Sequence, residues 1–219
     1  MNRDPMELIS QIVMPAFWDT LYMVIMATVI STIIGFFIGI ILYVTDKDGL
    51  RPNANLYKVL DVIVNMIRSF PFIILVVSII PITRAIVGTS IGKNAAIVPL
   101  VIAGSPFIAR LIEGSLKDVD KGLVEAGKSF GASDTQIIFK IMVKEAIPTI
   151  INNITFAAVS ILGTTAMAGT VGAGGLGAIA ISYGYQNFND VIMYGTVIIL
   201  IVLVQVIQLI GRKIYRKTL

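Results

Sequence analysis

Two segments of this chain match glycine-rich patterns that bind phosphate groups in other proteins. Residues 122–129, GLVEAGKS, satisfy G-x-x-x-x-G-K-[ST], in which backbone amides and a lysine cradle the phosphates of a nucleotide. Residues 171–177, VGAGGLG, contain G-x-G-x-x-G, a pattern that brings a backbone turn close to a pyrophosphate. Taken by themselves, both patterns would indicate a nucleotide-binding protein.

The residues around the two patterns argue against that chemistry. A phosphate-binding loop needs a buried strand before it, but SLKDVDK precedes residues 122–129, and the run Leu-Val-Glu-Ala favours a helix. Glu125 would also point a negative charge at the phosphates. Residues 171–177 lie between apolar segments without a βαβ unit, so a tight outer turn is expected there. We therefore expect that this chain binds no ATP and carries no catalytic residue.

The composition identifies the class of protein. Hydrophobic residues make up 56% of the 219 residues, charged residues only 14%, and the mean hydropathy is +0.89. These values predict an integral membrane protein, because soluble domains are about 25% charged. Cys and His are both absent from the sequence, so disulfides and thiolate or imidazole metal sites are excluded. The net charge of +4 lies beside apolar segments and indicates membrane topology rather than nucleic-acid binding.

The apolar segments predict an all-α membrane protein with about five transmembrane helices in one domain, residues 1–219. The second helix is extended backwards from a short uncharged interval and is expected to kink at Pro71. After the fourth helix, a glycine-rich stretch predicts a non-helical outer segment. The five predicted spans cover residues 20–45, 57–83, 94–115, 146–170 and 191–211.

The basic residues predict the orientation of these spans. Of the 17 Lys and Arg residues, twelve fall in the 45–58 loop, the C-terminus and the polar segment, which we define as residues 116–146. Because Lys and Arg collect on the cytoplasmic side, the polar segment and the C-terminus are expected in the cytoplasm. Five spans then place the N-terminus outside.

Local rules divide the polar segment into two short helices. The first is expected from about Lys121 to Phe130, and the second begins after GASD, with Ser133 or Asp134 as its N-cap. Gly131 suits a turn with positive φ, and the small residues at 126 and 127 would let another protein approach closely. Such a segment could be a docking element or an ordinary connecting loop.

A family resemblance favours docking. EAGKSFGAS followed by KEAIP resembles the coupling loop of permease subunits of ATP-binding-cassette importers. Two positions depart from that pattern: Gly127 replaces an Ala, and Lys144 stands where a Pro is usual, which predicts a smooth helical entry into the fourth span. The positions that correspond to the pattern are Glu125, Ala126, Gly127, Gly131, Glu145, Ala146 and Pro148. Four further segments resemble the methionine-uptake branch: RSFPFIILVVSIIPITR, VGTSIGKNAAIVPL, SPFIARLIEGSL and TAMAGTVGAGGLG.

The resemblance implies a subunit that performs no covalent chemistry and imports methionine across the bacterial inner membrane by alternating access. It implies two copies of this chain in the lipid bilayer, a cytosolic ATPase dimer that holds ATP and Mg²⁺, and an extracytoplasmic substrate-binding protein. A permease for another amino acid or a quaternary amine is the alternative within this class, and an ion-coupled secondary transporter is the alternative outside it. The residues implied in ATPase docking are Glu125, Ala126, Gly127, Gly131 and Ala132.

Polar and helix-interrupting residues inside the predicted spans are candidates for the substrate path. Each has a structural alternative, because Ser and Thr often bond to their own helix, Pro often only bends a helix, and Met often only packs. The candidates are Ser69, Pro71, Phe72, Ser105, Pro106, Thr164, Thr165 and Met167.

The charges and glycines of the spans allow three more interpretations. Arg68 could pair with Asp61, contact a substrate carboxylate, or extend to the cytosolic interface, which is the favoured outcome. Arg110 and Glu113, three residues apart, are expected to neutralise each other near the inner end of the third span. The sequence GFFIG at 35–39 is suited to close helix contact.

Overall fold

The computed structural model describes residues 9–218, and these form helices and turns without a β-strand. A π-helical turn at Ile9–Val13 leads into the first helix. The helices are α1 Met14–Thr45, α2 Ala54–Ser69, α3 Phe72–Ser78, α4 Ile80–Val87, α5 Lys93–Lys117, α6 Lys121–Ser129, α7 Asp134–Gly169, α8 Gly175–Ile179 and α9 Asp190–Tyr215. A π-helical stretch, Ala180–Gln186, continues α8.

The long helices account for the predicted membrane spans. Within residues 9–218, four helices are long and apolar enough to cross a bilayer: α1, α5, α7 and α9. The pair α2 and α3 forms a fifth candidate, bent by 104° at its break. The all-helical membrane fold with four or five spans is therefore confirmed. The predicted outer position of the N-terminus concerns residue 1, outside the described residues, and stays a prediction.

The bend of the predicted second span lies at Pro71 as expected, but it is a complete break between two helices rather than a kink in one helix. Helix α2 ends at Ser69, and Phe70 and Pro71 take extended backbone angles before α3 begins. The cause is local, because a residue that precedes proline is pushed out of the helical region. The chain then bends again at Ile79 and enters α4.

Two glycines allow α1 to cross α5 closely. A Cβ atom at Gly35 would lie 2.7 Å from the carbonyl oxygen of Ser105, and one at Gly39 would lie 2.7 Å from that of Ala109. Because such distances are too short for any side chain, glycine is required at both positions. The predicted close contact through GFFIG is confirmed, and α5 is held between α1 and α7 at the centre of the chain.

The fourth span begins earlier than the predicted residue 146. Helix α7 starts at Asp134 and continues through Lys144 and Pro148 to Gly169, with a π-helical turn at Ile137–Met142. The smooth helical entry predicted from Lys144 is confirmed. The second helix of the polar segment and the fourth span are therefore one continuous rod.

The glycine-rich stretch after α7 is a tight turn followed by helix. Gly172, Gly174 and Gly175 have φ angles of +95°, +79° and +78°, as the predicted outer turn requires. The prediction of a non-helical segment beyond it is wrong, because the chain is helical from Gly175 to Gln186. Gly177 lets α8 pack on α7, since a Cβ there would lie 2.4 Å from the Cα of Ala166.

Candidate functional site

The first phosphate-like pattern lies in a regular helix, α6. Asp120 caps the helix, accepting a hydrogen bond from the amide of Gly122 at 2.7 Å. The hydroxyl of Ser129 donates to the carbonyl of Glu125 at 3.0 Å. The helix predicted from Lys121 is thus confirmed, and GLVEAGKS forms a helix rather than an amide-exposing loop.

A short turn connects α6 to α7. Gly131 has a φ of +76°, and its amide donates to the carbonyl of Lys128 at 2.9 Å. Ser133 begins α7 with a reciprocal cap: its hydroxyl accepts from the amide of Gln136 at 3.4 Å, and its amide donates to the Gln136 side chain at 2.9 Å. The predicted roles of Gly131 in the turn and of Ser133 as N-cap are confirmed.

One face of α6 packs against α7 of the same chain. Val124 and Gly127 are buried, and a Cβ at Gly127 would lie 2.7 Å from the Cδ1 of Ile141. The small size of Gly127 therefore accommodates Ile141, which corrects the expectation that Gly127 gives a partner protein close access. Val124 joins the same hydrophobic core as Ile137 and other residues of α5 and α7. Through this core, α6 is attached firmly to two of the spans.

The opposite face of α6 is exposed. Glu125 and Ala126 lie on it, and Gly131 is exposed at the end of the helix. Ala132, the fifth predicted docking residue, is half-buried against the hydrophobic core. The most prominent side chain is Phe130, which is 91% exposed where the helix ends. Phe130 is not among the docking residues predicted from the sequence, although an aromatic residue inside a polar stretch is a usable signal.

The loop after α1 contacts the start of α7 beside this surface. Arg51 forms a salt bridge with Asp134 at the start of α7. A cleft of about 380 Å³ separates the loop from α6, and Asp46 and Glu125 both line it. Burial alone would raise the pKa of Asp46, but hydrogen bonds from Lys117 and a backbone amide outweigh burial and lower the pKa. Asp46 is therefore held in its charged form at neutral pH.

The predicted path residues divide into buried and accessible positions. Ser105 and Thr165 are buried, and their hydroxyls donate to carbonyls of their own helices at 2.7 and 2.6 Å. Pro106 is also buried, inside α5. Thr164 lines a cavity of about 70 Å³ between α5 and α7, and Met167 is exposed. The single chain therefore does not gather these residues around one opening.

The second-span candidates lie at the break between α2 and α3. The hydroxyl of Ser69 donates to the carbonyl of Asn65 at 2.8 Å, and Pro71 precedes the first residue of α3. Ser69 and Pro71 are exposed, whereas Phe72 is half-buried against a cluster from α1, α5 and α7. The break therefore places Ser69 and Pro71 on the surface of the chain.

Known proteins share this arrangement. Residues 35–219 match the model of a family described as binding-protein-dependent transport system inner membrane component. The chain belongs to this family. A probable D-methionine transport system permease protein, MetI, of Vibrio cholerae is 50% identical over 95% of this chain and 92% of its own length. Methionine import system permease protein MetP of Bacillus subtilis is 46% identical over 78% of this chain and 77% of its own.

Solved structures extend the agreement to the fold of the family. An inward-facing structure of the MetNI methionine ABC transporter is 42% identical, covers both chains completely and superposes with a TM-score of 0.93. An amino acid ABC transporter crystallised with histidines is 19% identical and superposes with a TM-score of 0.77, which shows a shared fold alone. Membership of the family also makes this chain a multi-pass protein of the bacterial inner membrane.

Proposed function

We propose that this protein is the membrane-spanning permease subunit of an ATP-driven importer of methionine. The observation that carries the proposal is the 42% identity, at a TM-score of 0.93 over the whole chain, with a methionine ABC transporter. The methionine permeases of Vibrio cholerae and Bacillus subtilis support the same substrate. Import of another amino acid or a quaternary amine, and coupling to an ion gradient, are the alternatives that the experiment below separates.

Two copies of the chain act together with a cytosolic ATPase dimer and an extracytoplasmic substrate-binding protein. ATP and Mg²⁺ are held by the ATPase, and the permease itself carries no cofactor. The polar segment and the C-terminus face the cytoplasm, and the N-terminus lies outside, as the distribution of Lys and Arg supports.

The exposed face of α6 is the docking surface for the ATPase. Glu125, Ala126, Gly131 and Ala132 contribute to it, and Phe130 is its apolar anchor. The packing of α6 on α7 supports a rigid docking surface, because a helix that slid along the spans of its own chain could not transmit force. Closure of the ATPase dimer then moves the inner ends of the spans, and the path opens alternately to either side.

The substrate path runs between the two copies. Ser69, Pro71, Thr164 and Met167 are accessible on a single chain and are the path positions that we retain. Ser105, Pro106 and Thr165 contribute by shaping α5 and α7 rather than by contacting substrate, because they are buried.

Uptake by reconstituted vesicles tests the proposal. Vesicles that contain this permease, its ATPase and its binding protein should accumulate labelled methionine only when ATP is present on the side of the membrane that carries the ATPase. Excess unlabelled methionine should abolish the uptake of labelled methionine, whereas other amino acids and quaternary amines should leave most of this uptake in place. Uptake driven by a sodium or proton gradient without ATP would instead establish an ion-coupled transporter.

A further inference from the structure

A buried carboxylate connects three helices where the spans meet the polar segment. Glu113 of α5 is only 3% exposed. Its oxygens accept hydrogen bonds from Arg110 at 2.8 Å, from Lys117 at 2.8 Å and from the hydroxyl of Tyr57 in α2 at 3.1 Å. The predicted pairing of Arg110 with Glu113 is confirmed, but the pair belongs to a larger cluster.

Arg110 and Lys117 extend the cluster to α2 and to the end of α1. Arg110 also pairs with Asp61 of α2 and donates to the side chain of Asn65 at 3.2 Å. Lys117 also pairs with Asp46, which directly follows α1, at 2.8 Å. The inner ends of α1, α2 and α5 are therefore joined through one set of charges, and Asp61 pairs with Arg110 rather than with Arg68.

The ion pairs of the cluster favour a single arrangement of these helix ends. Three carboxylates face two cations, and Glu113 contacts both cations. Removing one member of a buried ion pair is costly, since its partner is left charged without compensation. The salt bridge between Asp19 and Lys93, at the other end of α5, joins side chains that are 35% and 46% exposed, and pairs so accessible to water contribute little.

The position of the cluster gives it a consequence for transport. Lys117 is the last residue of α5, and α6 begins at Lys121. Leu116 at the end of α5 and Val119 in the connection between the two helices lie in the hydrophobic core that also holds Val124 of α6. Glu113 and Lys117 of the cluster therefore lie on the same stretch of α5 as Ile112 and Leu116 of the core that holds α6.

We infer that Glu113 is a positioning residue for energy coupling, which fixes the inner ends of α1, α2 and α5 to the polar segment as one rigid body. Movement of α6 is then passed to α2, and through α2 to the accessible path residue Ser69. Without the carboxylate, α6 still binds the ATPase, but α2 no longer follows it. The inference rests on the proposed function, because it concerns the same transport cycle.

Replacement of the carboxylate by an amide tests this role in the complete transporter. Glu113→Gln should lower methionine uptake by roughly tenfold, in the range expected for residues that carry coupling between distant sites. The ATPase should co-purify as with the wild type and continue to hydrolyse ATP, so the ATP used per methionine should rise. Asp19→Asn, which removes the exposed outer pair, should leave both uptake and this ratio unchanged.

The ratio separates coupling from general damage. A merely structural role would lower uptake and ATP hydrolysis together and leave their ratio at the wild-type value, which would overturn the inference. Glu113→Asp, which keeps the charge, should restore part of the coupling. Failure of the wild type to import methionine would instead refute the proposed function, so the two failures are distinguishable.

A covalent lock keeps the test decisive if Glu113→Gln does not fold. Because the sequence has no Cys, Asp46→Cys with Lys117→Cys introduces the only two thiols of each permease chain, at positions whose native side chains place Nζ of Lys117 2.8 Å from Oδ2 of Asp46. A short thiol crosslinker should join them within one chain, and the joined transporter should import methionine at least at the rate measured before crosslinking, because the crosslink replaces the ion pair that the two substitutions remove. Loss of uptake on crosslinking would show that this contact opens during transport, and would overturn the rigid-body inference.

Discussion

Replacement of Phe130 by alanine is the sharpest test of the docking surface. The side chain is 91% exposed at the end of α6, so it contributes almost nothing to the stability of the free permease. We therefore expect Phe130→Ala to change the free energy of unfolding by less than about 0.5 kcal/mol, as for other exposed positions.

Binding to the ATPase should respond very differently. Full burial of a phenylalanine side chain contributes about 1.5–3 kcal/mol. If the ATPase covers Phe130, its truncation should weaken the complex by roughly 10- to 150-fold. The affinity of purified permease in nanodiscs for the isolated ATPase subunit measures this directly, by titration at fixed salt concentration.

Phe188 provides a matched control. It is 89% exposed and follows α8, and the length of α7 separates that end of the chain from Phe130. Phe188→Ala removes the same side chain from the opposite end of the spans and should leave ATPase affinity unchanged. Equal affinities for the wild type and Phe130→Ala, or equal losses in both variants, would refute the docking argument.

Four other predictions concern α6 and its surroundings. Gly131→Val should lower the free energy of unfolding by about 1–2 kcal/mol and weaken ATPase co-purification, because φ is +76° at this position. Gly131→Asn tolerates that angle and should retain most of the ATPase binding. Equal binding of the ATPase by both variants would argue against the turn. Gly127→Leu should destabilise the permease by about 1–3 kcal/mol, and Ile141→Ala in the same chain should recover part of that loss in thermal unfolding. The contact of Asp46 with Lys117 should stabilise the fold fully above the ordinary aspartate pKa of about 4, and the stabilisation should disappear as the pH falls through the lowered pKa of the folded state. The difference in melting temperature between wild type and Asp46→Asn should therefore be constant near neutral pH and shrink in acid, and a difference that grows in acid would contradict the pairing. Purified permease without its ATPase should bind no ATP in equilibrium dialysis, and measurable binding would restore the phosphate-loop interpretation of residues 122–129.

Local rules explain the parts of the structure that the sequence predicts well. The start of α7 at Ser133 and the turn at Gly131 depend on residues within four positions of each other, so capping and φ preferences suffice. The small residues of GFFIG likewise predict a close helix contact. Their partner in α5 lies about 70 residues away in the sequence and was not predictable from the pattern.

Errors arose where distant residues decide the outcome. Gly127 was expected to give a partner protein close access, but the space beside it is filled by Ile141, which only the folded chain brings there. Pairing of Asp61 with Arg68 was one of three interpretations of Arg68 and not the favoured one, and Asp61 pairs with Arg110 because α2 packs against α5. The break at Phe70, by contrast, has a local cause in the following proline, and it was missed because the need for a full-length span favoured a kinked helix.

ATP-dependent uptake of methionine tests the central claim most directly. Vesicles with permease, ATPase and binding protein should accumulate labelled methionine when supplied with hydrolysable ATP, and should accumulate none with a non-hydrolysable analogue. Accumulation that is unaffected by unlabelled methionine, or that continues without ATP hydrolysis under an ion gradient, would contradict the account.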